Sequence, residues 1–279
     1  MGEYDPQAIV DSYTEGDEIS RVDRSSDAAI MFQIERWFIE RYLPDSGTVI
    51  DVVGGPGRFA VEIAKLGRDV VLTDIAPKHI DQAKQLAEKE GVAAKIVDYR
   101  VMDIRDLSAF GSGEFSMAVC YGMLNYTLDQ DVHVLSELGR IVQKGNPILI
   151  SAMGLYGAVR YGWAQGRLGD PSYREQERSV IETGVNTFRK PCRKFYTVAA
   201  LRAMAERAGL YVLEVAGTPA IAACLGQAID SARQDPEAWA YVIETEKKAC
   251  TVPGLVDTGQ HIILATFAGG SSLDSKDPL

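Results

Sequence analysis

The sequence lacks the cysteine spacing of a disulfide framework or a zinc site. Its 279 residues include four cysteines (Cys120, Cys192, Cys224 and Cys250), and no two of them form a C-x-x-C pair. It also lacks an apolar run of the roughly 18 residues that a membrane span needs, and a basic start followed by an apolar segment. We therefore expect a reduced, cytoplasmic, soluble protein without a metal site.

Positive charge is also scarce. Lys and Arg number 29 against 39 Asp and Glu, which gives a formal net charge of -10. Such a chain repels phosphate backbones and anionic membranes unless it has a local basic patch. The best candidate patch, residues 189–194, has only four basic residues, which is typical of a solvated loop. We expect neither a nucleic-acid partner nor a membrane partner.

Apolar runs and helical patterns alternate through the middle of the sequence. The patterns predict strands at 49–53, 69–73, 94–101, 116–121 and 148–153, and helices at 28–43, 59–66, 77–89 and 131–142. A helix at 197–208 and strands at 210–215 and 261–267 follow. This alternation predicts a parallel sheet covered by helices on both faces.

The chain length suits one large domain, alone or with a small cap. We expect a single domain over residues 1–268, followed by a disordered tail at 269–279. An N-terminal lid at about 1–28 and cap insertions at about 154–196 and 217–259 belong to this domain. Ligands of an open parallel sheet bind beyond the carboxyl ends of its strands, so we expect these three segments to cover one pocket there.

A glycine turn between the first predicted strand and helix is the strongest local signal. Residues 49–67 read VIDVVGGPGRFAVEIAKLG. Gly55-x-Gly57-x-x-Ala60 fits the G-x-G-x-x-A turn of dinucleotide-binding folds, and Asp74 follows about where a ribose-binding acid is expected. S-adenosylmethionine is the other ligand that this turn could hold.

Three acids at successive strand ends favour S-adenosylmethionine. Asp51 can offset the ammonium of the methionine part, Asp74 can accept both ribose hydroxyls, and Asp103 can accept the adenine amino hydrogens. Each has a structural alternative: Asp51 and Asp74 could be helix caps, and Asp103 a surface turn residue. The three together, in order, are harder to obtain by chance.

Small and apolar residues complete this predicted cofactor site. Bare backbone at Gly55 and Gly57 lets the amino-acid part lie close, and Gly54 adds clearance beside them. Ile75 and Ile104 follow two of the acids and can sandwich the adenine ring.

These motifs resemble a class I S-adenosylmethionine-dependent methyltransferase, of the small bacterial type related to the ubiquinone/menaquinone-biosynthesis enzymes. Residues 51–57 (DVVGGPG) resemble its motif I, residues 121–126 (YGMLNY) the motif after strand four, and residues 139–145 (GRIVQKG) the turn before strand five. The resemblance covers roughly residues 10–268. It implies a Rossmann-like, doubly wound α/β fold with seven strands, mostly parallel with an antiparallel last strand, plus helical cap insertions. It also implies the cofactor S-adenosylmethionine.

Val53 departs from the family pattern, which is D-x-G-x-G-x-G with glycine at this position. A β-branched side chain resists a positive φ angle and could crowd the methionine part of the cofactor. Gly54 could restore the clearance by shifting the turn.

The reaction implied by the resemblance is in-line displacement at the sulfonium methyl, which mainly requires alignment and the removal of a proton. His261 begins the last strand at the ligand edge, so it is the candidate general base, with packing as the alternative. We expect His79 to be exposed and His133 to be structural.

Tyrosines and one arginine provide the remaining candidates. Tyr13 and Tyr121 are candidate cofactor contacts. The candidate substrate contacts are Tyr126, Tyr156, Arg160 and Tyr196. The alternatives are an aromatic lid that only excludes water and a solvated arginine.

The predicted function is methyl transfer to an O, N or S atom of a small-molecule metabolite (EC 2.1.1.-). No N-P-P-[FY] motif follows strand four, which disfavours a planar base or amide nitrogen as acceptor. An NAD(P)-dependent oxidoreductase and a catalytically silent methyltransferase-like binding module are the alternatives. The sequence leaves the oligomeric state open.

Overall fold

Seven strands form one sheet in the computed structural model, which describes residues 4–15 and 18–269. The described strands are β1 (Thr48–Val52), β2 (Asp69–Asp74), β3 (Ile96–Val101), β4 (Met117–Tyr121), β5 (Pro147–Met153), β6 (Val185–Asn186), β7 (Arg193–Lys194), β8 (Leu210–Thr218) and β9 (His261–Ala268). The order in the sheet is β3-β2-β1-β4-β5-β9-β8, and β9 runs antiparallel to both of its neighbours. The predicted seven-stranded α/β fold is confirmed. The predicted tail lies outside the described residues beyond Gly269.

Helices cover both faces of the sheet. The described α-helices are α1 (Pro6–Glu15), α2 (Ser26–Tyr42), α3 (Arg58–Lys65), α4 (Pro77–Lys89), α5 (Leu124–Thr127), α6 (Asp131–Ile141), α7 (Leu155–Ala164), α8 (Pro171–Thr183), α9 (Val198–Arg207), α10 (Gln227–Arg233), α11 (Pro236–Ala249) and α12 (Pro253–Val256). The predicted helices of the core match within two residues. Among the described helices, none is long and apolar enough to cross a bilayer.

The first insertion, which showed no clean period, contains two helices and the β6–β7 hairpin. Helix α8 escaped prediction because Val180 is its one buried residue, so an apolar stripe is absent. Its start is nevertheless well marked, since the Asp170 side chain caps it and Pro171 occupies its first turn.

Strand β1 explains how an acid comes to be buried at the centre of the sheet. Ile50 and Val52 pack into the apolar cluster on one face, and Val49 packs into the cluster on the other. Side chains alternate along a strand, so Asp51 shares the face of Val49 and points toward α3. The strand therefore delivers a carboxylate to the carboxyl end of the sheet.

The glycine turn between β1 and α3 is held by backbone hydrogen bonds and close packing. The N–H of Gly54 donates to Thr73 O at 2.9 Å, and the N–H of Gly57 donates to Gly54 O at 3.0 Å. Gly57 has a φ of 84°, and a Cβ at this position would lie 2.8 Å from the Ala83 Cβ on α4. Gly57 is therefore required both by the left-handed backbone and by the contact between α3 and α4.

Gly57→Ala should destabilise the fold more than Gly67→Ala, its matched control. Gly67 has a similar φ of 86°, but no atom lies within 4 Å of the position that an alanine methyl group would take there. Both variants carry the left-handed cost of about 1–2 kcal/mol, and Gly57→Ala adds an overpacking cost of about 1–3 kcal/mol. Urea unfolding measures the two free energies, and equal losses would contradict the packing role.

Candidate functional site

A first cavity lies at the carboxyl ends of β1, β2 and β4, where the strand order reverses. The glycine turn forms one side, and α1, α2 and residues 18–22 form the other. The predicted site residues that line it are Asp51, Gly54, Gly55, Asp74, Ile75, Tyr121, Tyr13 and His261. The structure therefore brings most of the predicted cofactor residues to one place.

Asp51 carries an unsatisfied oxygen on the wall of this cavity. The residue is 2% exposed, and its Oδ2 has no hydrogen-bond partner among residues 4–15 and 18–269. Burial raises the pKa of its carboxyl to about 7, against the opposing effect of a hydrogen bond from the Ala60 backbone and with a further increase from nearby Asp74. A buried acceptor without a donor is a site for a positively charged or N–H group.

Asp74 fixes the glycine turn to β2 and α4. Its Oδ2 accepts the Gly55 N–H at 2.9 Å, and its Oδ1 accepts the Ala76 N–H at 2.8 Å. His79 Nδ1 lies 3.1 Å from the same Oδ1. A carboxylate has about four lone-pair sites, so these contacts leave room for a ligand hydroxyl.

His79 is buried, so the expectation that it is exposed is wrong. It lies on the inner face of α4 because Asp74 binds its Nδ1, and its ring packs edge-on against Tyr13 with centroids 5.4 Å apart. Its Nε2 has no partner among the described residues, and the residue lines the first cavity. The signal in the sequence was its position five residues after Asp74. His133, by contrast, is exposed and contacts the Arg105 carbonyl.

Three predicted cofactor residues do not line the first cavity. The carboxylate of Asp103 forms an ion pair with Arg105 at 2.7 Å, and Ile104 is buried in the core. Burial alone would raise the pKa of Asp103, but hydrogen bonds from Arg105 hold it below its ordinary value. Gly57 faces Ala83 on α4, whose side chain occupies the space that a Cβ on Gly57 would need. Other parts of the chain thus contact each of these three residues, and their cofactor contacts stay predictions.

Val53 adopts the backbone conformation that its side chain disfavours. Its φ is 64°, and the residue lines the first cavity. Gly54 does not take over this role, because the positive φ angles of the turn fall at Val53, Gly55 and Gly57. A Cβ on Gly54 would lie 2.6 Å from Asp51 Oδ2, so its absence makes room for the acid instead.

A second cavity of about 270 Å³ adjoins the first. Arg21, Met31 and His261 line both cavities. Helices α7 and α8 and the β6–β7 hairpin, all from the first insertion, supply most of its wall. No described residue at 217–259 lines either cavity, so the expectation that the second insertion covers the pocket is wrong.

The second insertion instead packs behind α2, where a buried acid anchors it. Glu246 accepts backbone N–H groups from Ala220, Ile221 and Ala222 at 2.6, 2.9 and 2.6 Å. Helices α10 and α11 contact α2. This insertion positions α2, and through α2 it positions the residues that face the cavities.

His261 forms a buried pair with Glu35 where the cavities meet. His261 Nδ1 lies 2.9 Å from Glu35 Oε1, and the Ser151 hydroxyl donates to the same oxygen at 2.8 Å. A carboxylate on one ring nitrogen fixes the orientation and tautomer of a histidine. The arrangement suits proton transfer at the other ring nitrogen.

Glu35 was missed by the sequence reasoning although a signal was present. It lies four residues after Met31 and three before Phe38, on the apolar face of α2. An acid on the buried face of an amphipathic helix needs a partner, and His261 is that partner. Arg21, which lines both cavities, had no comparable signal.

The four predicted substrate contacts lie outside the lining of both cavities. Tyr126 is buried and accepts a hydrogen bond from the Tyr13 hydroxyl at 3.2 Å, and Tyr196 donates to Leu124 O at 2.8 Å. Tyr156 is 50% exposed, and Arg160 donates to the Thr258 carbonyl at 2.7 Å. In the structure Tyr126, Tyr196 and Arg160 thus bind other parts of the chain, and all four side chains stay predicted substrate contacts.

The central part of the chain is similar to known proteins. Residues 49–145, from β1 to the turn before β5, match the family model of a methyltransferase domain. This stretch is therefore similar to methyltransferase domains. Over 113 residues the chain is 29% identical to the ubiquinone biosynthesis O-methyltransferase of Xanthomonas axonopodis pv. citri (strain 306), covering 40% of this chain and 46% of that protein. The match thus spans less than half the length of the curated relative.

Solved structures resemble almost the whole chain. Geranyl diphosphate C-methyltransferase from Streptomyces coelicolor A3(2) has a TM-score of 0.59 at 13% identity, covering 94% of this chain and 97% of that one. The 1,6-didemethyltoxoflavin-N1-methyltransferase of Burkholderia thailandensis has a TM-score of 0.58 at 13% identity, covering 95% and 87%. At this identity the likeness shows the fold. The match to the family model over residues 49–145 agrees with the predicted methyltransferase class, for which S-adenosylmethionine is the expected cofactor.

Asp51→Asn should weaken the pH dependence of stability. In the unfolded chain an Asp loses its proton at about pH 4, whereas folded Asp51 keeps it to about pH 7. The stability contributed by this proton is complete below about pH 4 and is lost as the pH rises to about 7. Urea unfolding across this window should show a smaller decline in Asp51→Asn than in the wild type.

The same substitution should weaken binding of S-adenosylhomocysteine at pH 8 by about 10- to 100-fold, because a charged hydrogen bond of about 1.5–3 kcal/mol is lost. Asp69→Asn is the control, since Asp69 lies half-exposed at the opposite end of β2. Calorimetry that finds wild-type affinity in Asp51→Asn would exclude Asp51 as the ammonium partner.

Val53→Gly should bind S-adenosylhomocysteine equally or more tightly than the wild type. Glycine relieves a left-handed strain of about 1–2 kcal/mol and removes a side chain from the cavity wall. Val53→Thr, which stays β-branched, should bind like the wild type. A large loss of affinity in Val53→Gly, measured by calorimetry, would show that the turn is built around valine.

Proposed function

We propose that this chain transfers a methyl group from S-adenosylmethionine to an oxygen, nitrogen or sulfur atom of a small molecule in the second cavity. The position of the His261–Glu35 pair carries the proposal, because His261 lines both cavities. A base at that junction is within reach of an acceptor on one side and of a methyl donor on the other.

The polar groups of the first cavity that lack hydrogen-bond partners among the described residues match the polar groups of the cofactor. Asp51 Oδ2 suits the ammonium, and the buried His79 Nε2 and the Asp74 carboxylate suit the hydroxyls of the ribose. The positive φ of Gly55 and the absence of a side chain there leave open backbone along the wall. When bound, S-adenosylmethionine supplies a methyl group activated by its positively charged sulfur.

His261 is proposed to accept the proton of the acceptor. Its Nδ1 lies 2.9 Å from Glu35 Oε1, and in the tautomer that donates to this carboxylate the lone pair lies on Nε2. Ser151 donates to Glu35 Oε1 and keeps the carboxylate in place as positive charge develops on the imidazole. The pair thus combines a positioned base with a buried counter-charge.

The N-terminal segment and the first insertion are proposed to close the site within a single domain. Helix α1 brings Ile9 and Tyr13 to the first cavity, and the hydroxyl of Tyr13 bonds to that of Tyr126. Methyl transfer requires alignment and the exclusion of water rather than further activation of the donor. A closed wall on this side serves both requirements.

His261→Ala should lower kcat/KM by at least about 100-fold, the usual contribution of a general base. Glu35→Gln should lower it less and should shift the pH profile, because the imidazole loses its counter-charge. The assay uses methyl-labelled S-adenosylmethionine with panels of thiols, phenols, amines and carboxylates.

His133→Ala is the control, because His133 is exposed on α6 and lines neither cavity. Affinity for S-adenosylhomocysteine reports whether each variant is folded. Unchanged kcat/KM in His261→Ala would exclude the base. Cofactor binding without turnover of any panel member would instead favour a catalytically silent binding module, the alternative to which the strained Val53 points.

A further inference from the structure

The second cavity concentrates positive charge in a protein that is acidic as a whole. From this we infer that it binds the acceptor through an acidic group, a carboxylate or a phosphate, held by Arg193, Arg167 and Arg189. The inference rests on the proposed function, in which this cavity is the acceptor site, and it names the class of acceptor.

The charge of the lining is the first observation. The cavity is lined by four arginines (Arg21, Arg167, Arg189 and Arg193) and by one acid, Glu177. The whole chain has 29 basic and 39 acidic residues, which gives a formal net charge of -10. An excess of arginine in one concave site of such a chain creates a local positive potential that attracts anions.

The pairing of these charges is the second observation. Glu177 is already engaged, because it accepts hydrogen bonds from the Tyr173 hydroxyl at 2.7 Å and from Trp163 Nε1 at 2.8 Å. Arg21 has its own partner in Glu18 at 3.5 Å. Among residues 4–15 and 18–269, the other three arginines form no ion pair with a carboxylate.

Arg193 is the strongest single element. It lies on β7, where pairing with Asn186 of β6 fixes its backbone, and its guanidinium lies 5.6 Å from the centre of the Tyr126 ring. Its Nε is buried and has no hydrogen-bond partner among the described residues. A buried N–H of a charged group is costly to leave unpaired, and an oxyanion of a ligand would satisfy it.

Arg167 and Arg189 act on the same part of the cavity. Burial raises the pKa of Tyr173 to about 12, with a smaller contribution from its hydrogen bond to Glu177. The positive charges of Arg167 and Arg189 oppose this rise. The Arg167 guanidinium lies 5.8 Å from the centre of the Tyr173 ring, and Arg167, Arg189 and Tyr173 all line the cavity. Arginine stays charged at any working pH, so this environment is permanently cationic.

The rest of the lining describes the other part of the acceptor. Met31, Met153, Val159, Val180 and Phe195 give the cavity an apolar surface. Apolar walls with a few polar anchors are typical of small-molecule sites. The acceptor is thus an acid with an apolar body, whose reacting atom lies toward His261 when its acidic group lies among the arginines.

Matched acids and amides test this inference by binding, independently of turnover. The probes are 4-hydroxybenzoate with 4-hydroxybenzamide, octanoate with octanamide, and phenyl phosphate. Each carboxylate is compared with its own amide, and phenyl phosphate is compared with 4-hydroxybenzamide. Calorimetry with the full chain, with and without saturating S-adenosylhomocysteine, should show at least one acid that binds about tenfold tighter than its neutral counterpart. Rising salt should reduce this preference.

Arg193→Gln should remove most of the preference, by about tenfold, with unchanged affinity for S-adenosylhomocysteine. Arg178→Gln is the control, because Arg178 is exposed on the same insertion, on α8, and does not line the cavity. The inference is overturned if no acid binds tighter than its neutral counterpart, or if Arg193→Gln keeps the preference. Acid binding without any S-adenosylhomocysteine binding would overturn the proposed function instead and leave the anion site standing.

Discussion

The Asp74 carboxylate joins the parts on which the rest of the site depends. It holds the glycine turn through Gly55, the start of α4 through Ala76, and the imidazole of His79. His79 in turn packs against Tyr13 of α1, so the N-terminal segment is connected to the same group. Each of these contacts uses a different lone pair of one buried residue. The loss of that residue would release the turn, the helix and the segment that closes over them.

Opposite charges divide the two cavities. Among the charged residues of the lining, the first cavity has four acids (Asp51, Asp74, Glu18 and Glu35) and two arginines, whereas the second has four arginines and one acid. A donor that carries an ammonium and a sulfonium is favoured on the acidic side, and an anionic acceptor on the basic side. His261, with its buried counter-charge, lies where the two meet. With this distribution of charge, the ammonium of the donor and the acidic group of the acceptor would lie on opposite sides of the reacting atoms.

The sheet and much of the lining of the first cavity could be predicted from the sequence because both follow from local patterns. Strand and helix alternation predicted the seven strands, and acids at strand ends predicted Asp51 and Asp74. The order of the strands, the pairing of Glu35 with His261, and the cationic lining depend on contacts between distant residues. Glu35 and His261 are 226 positions apart. Local patterns also do not reveal that Arg105 forms an ion pair with Asp103.

In the proposed function, the first insertion supplies most of the side chains that would select the acceptor. The similar proteins described above are named for transfer to oxygen, carbon and nitrogen, and the two solved structures among them share the fold of this chain. A fold that serves different acceptor atoms does not itself fix the acceptor, so selection depends on the particular side chains around the site. In this chain the second cavity is walled largely by residues 154–196, beyond the domain match that ends at residue 145. The arginines at 167, 189 and 193 all lie in that segment, so its charge is the part of the structure that bears on acceptor identity.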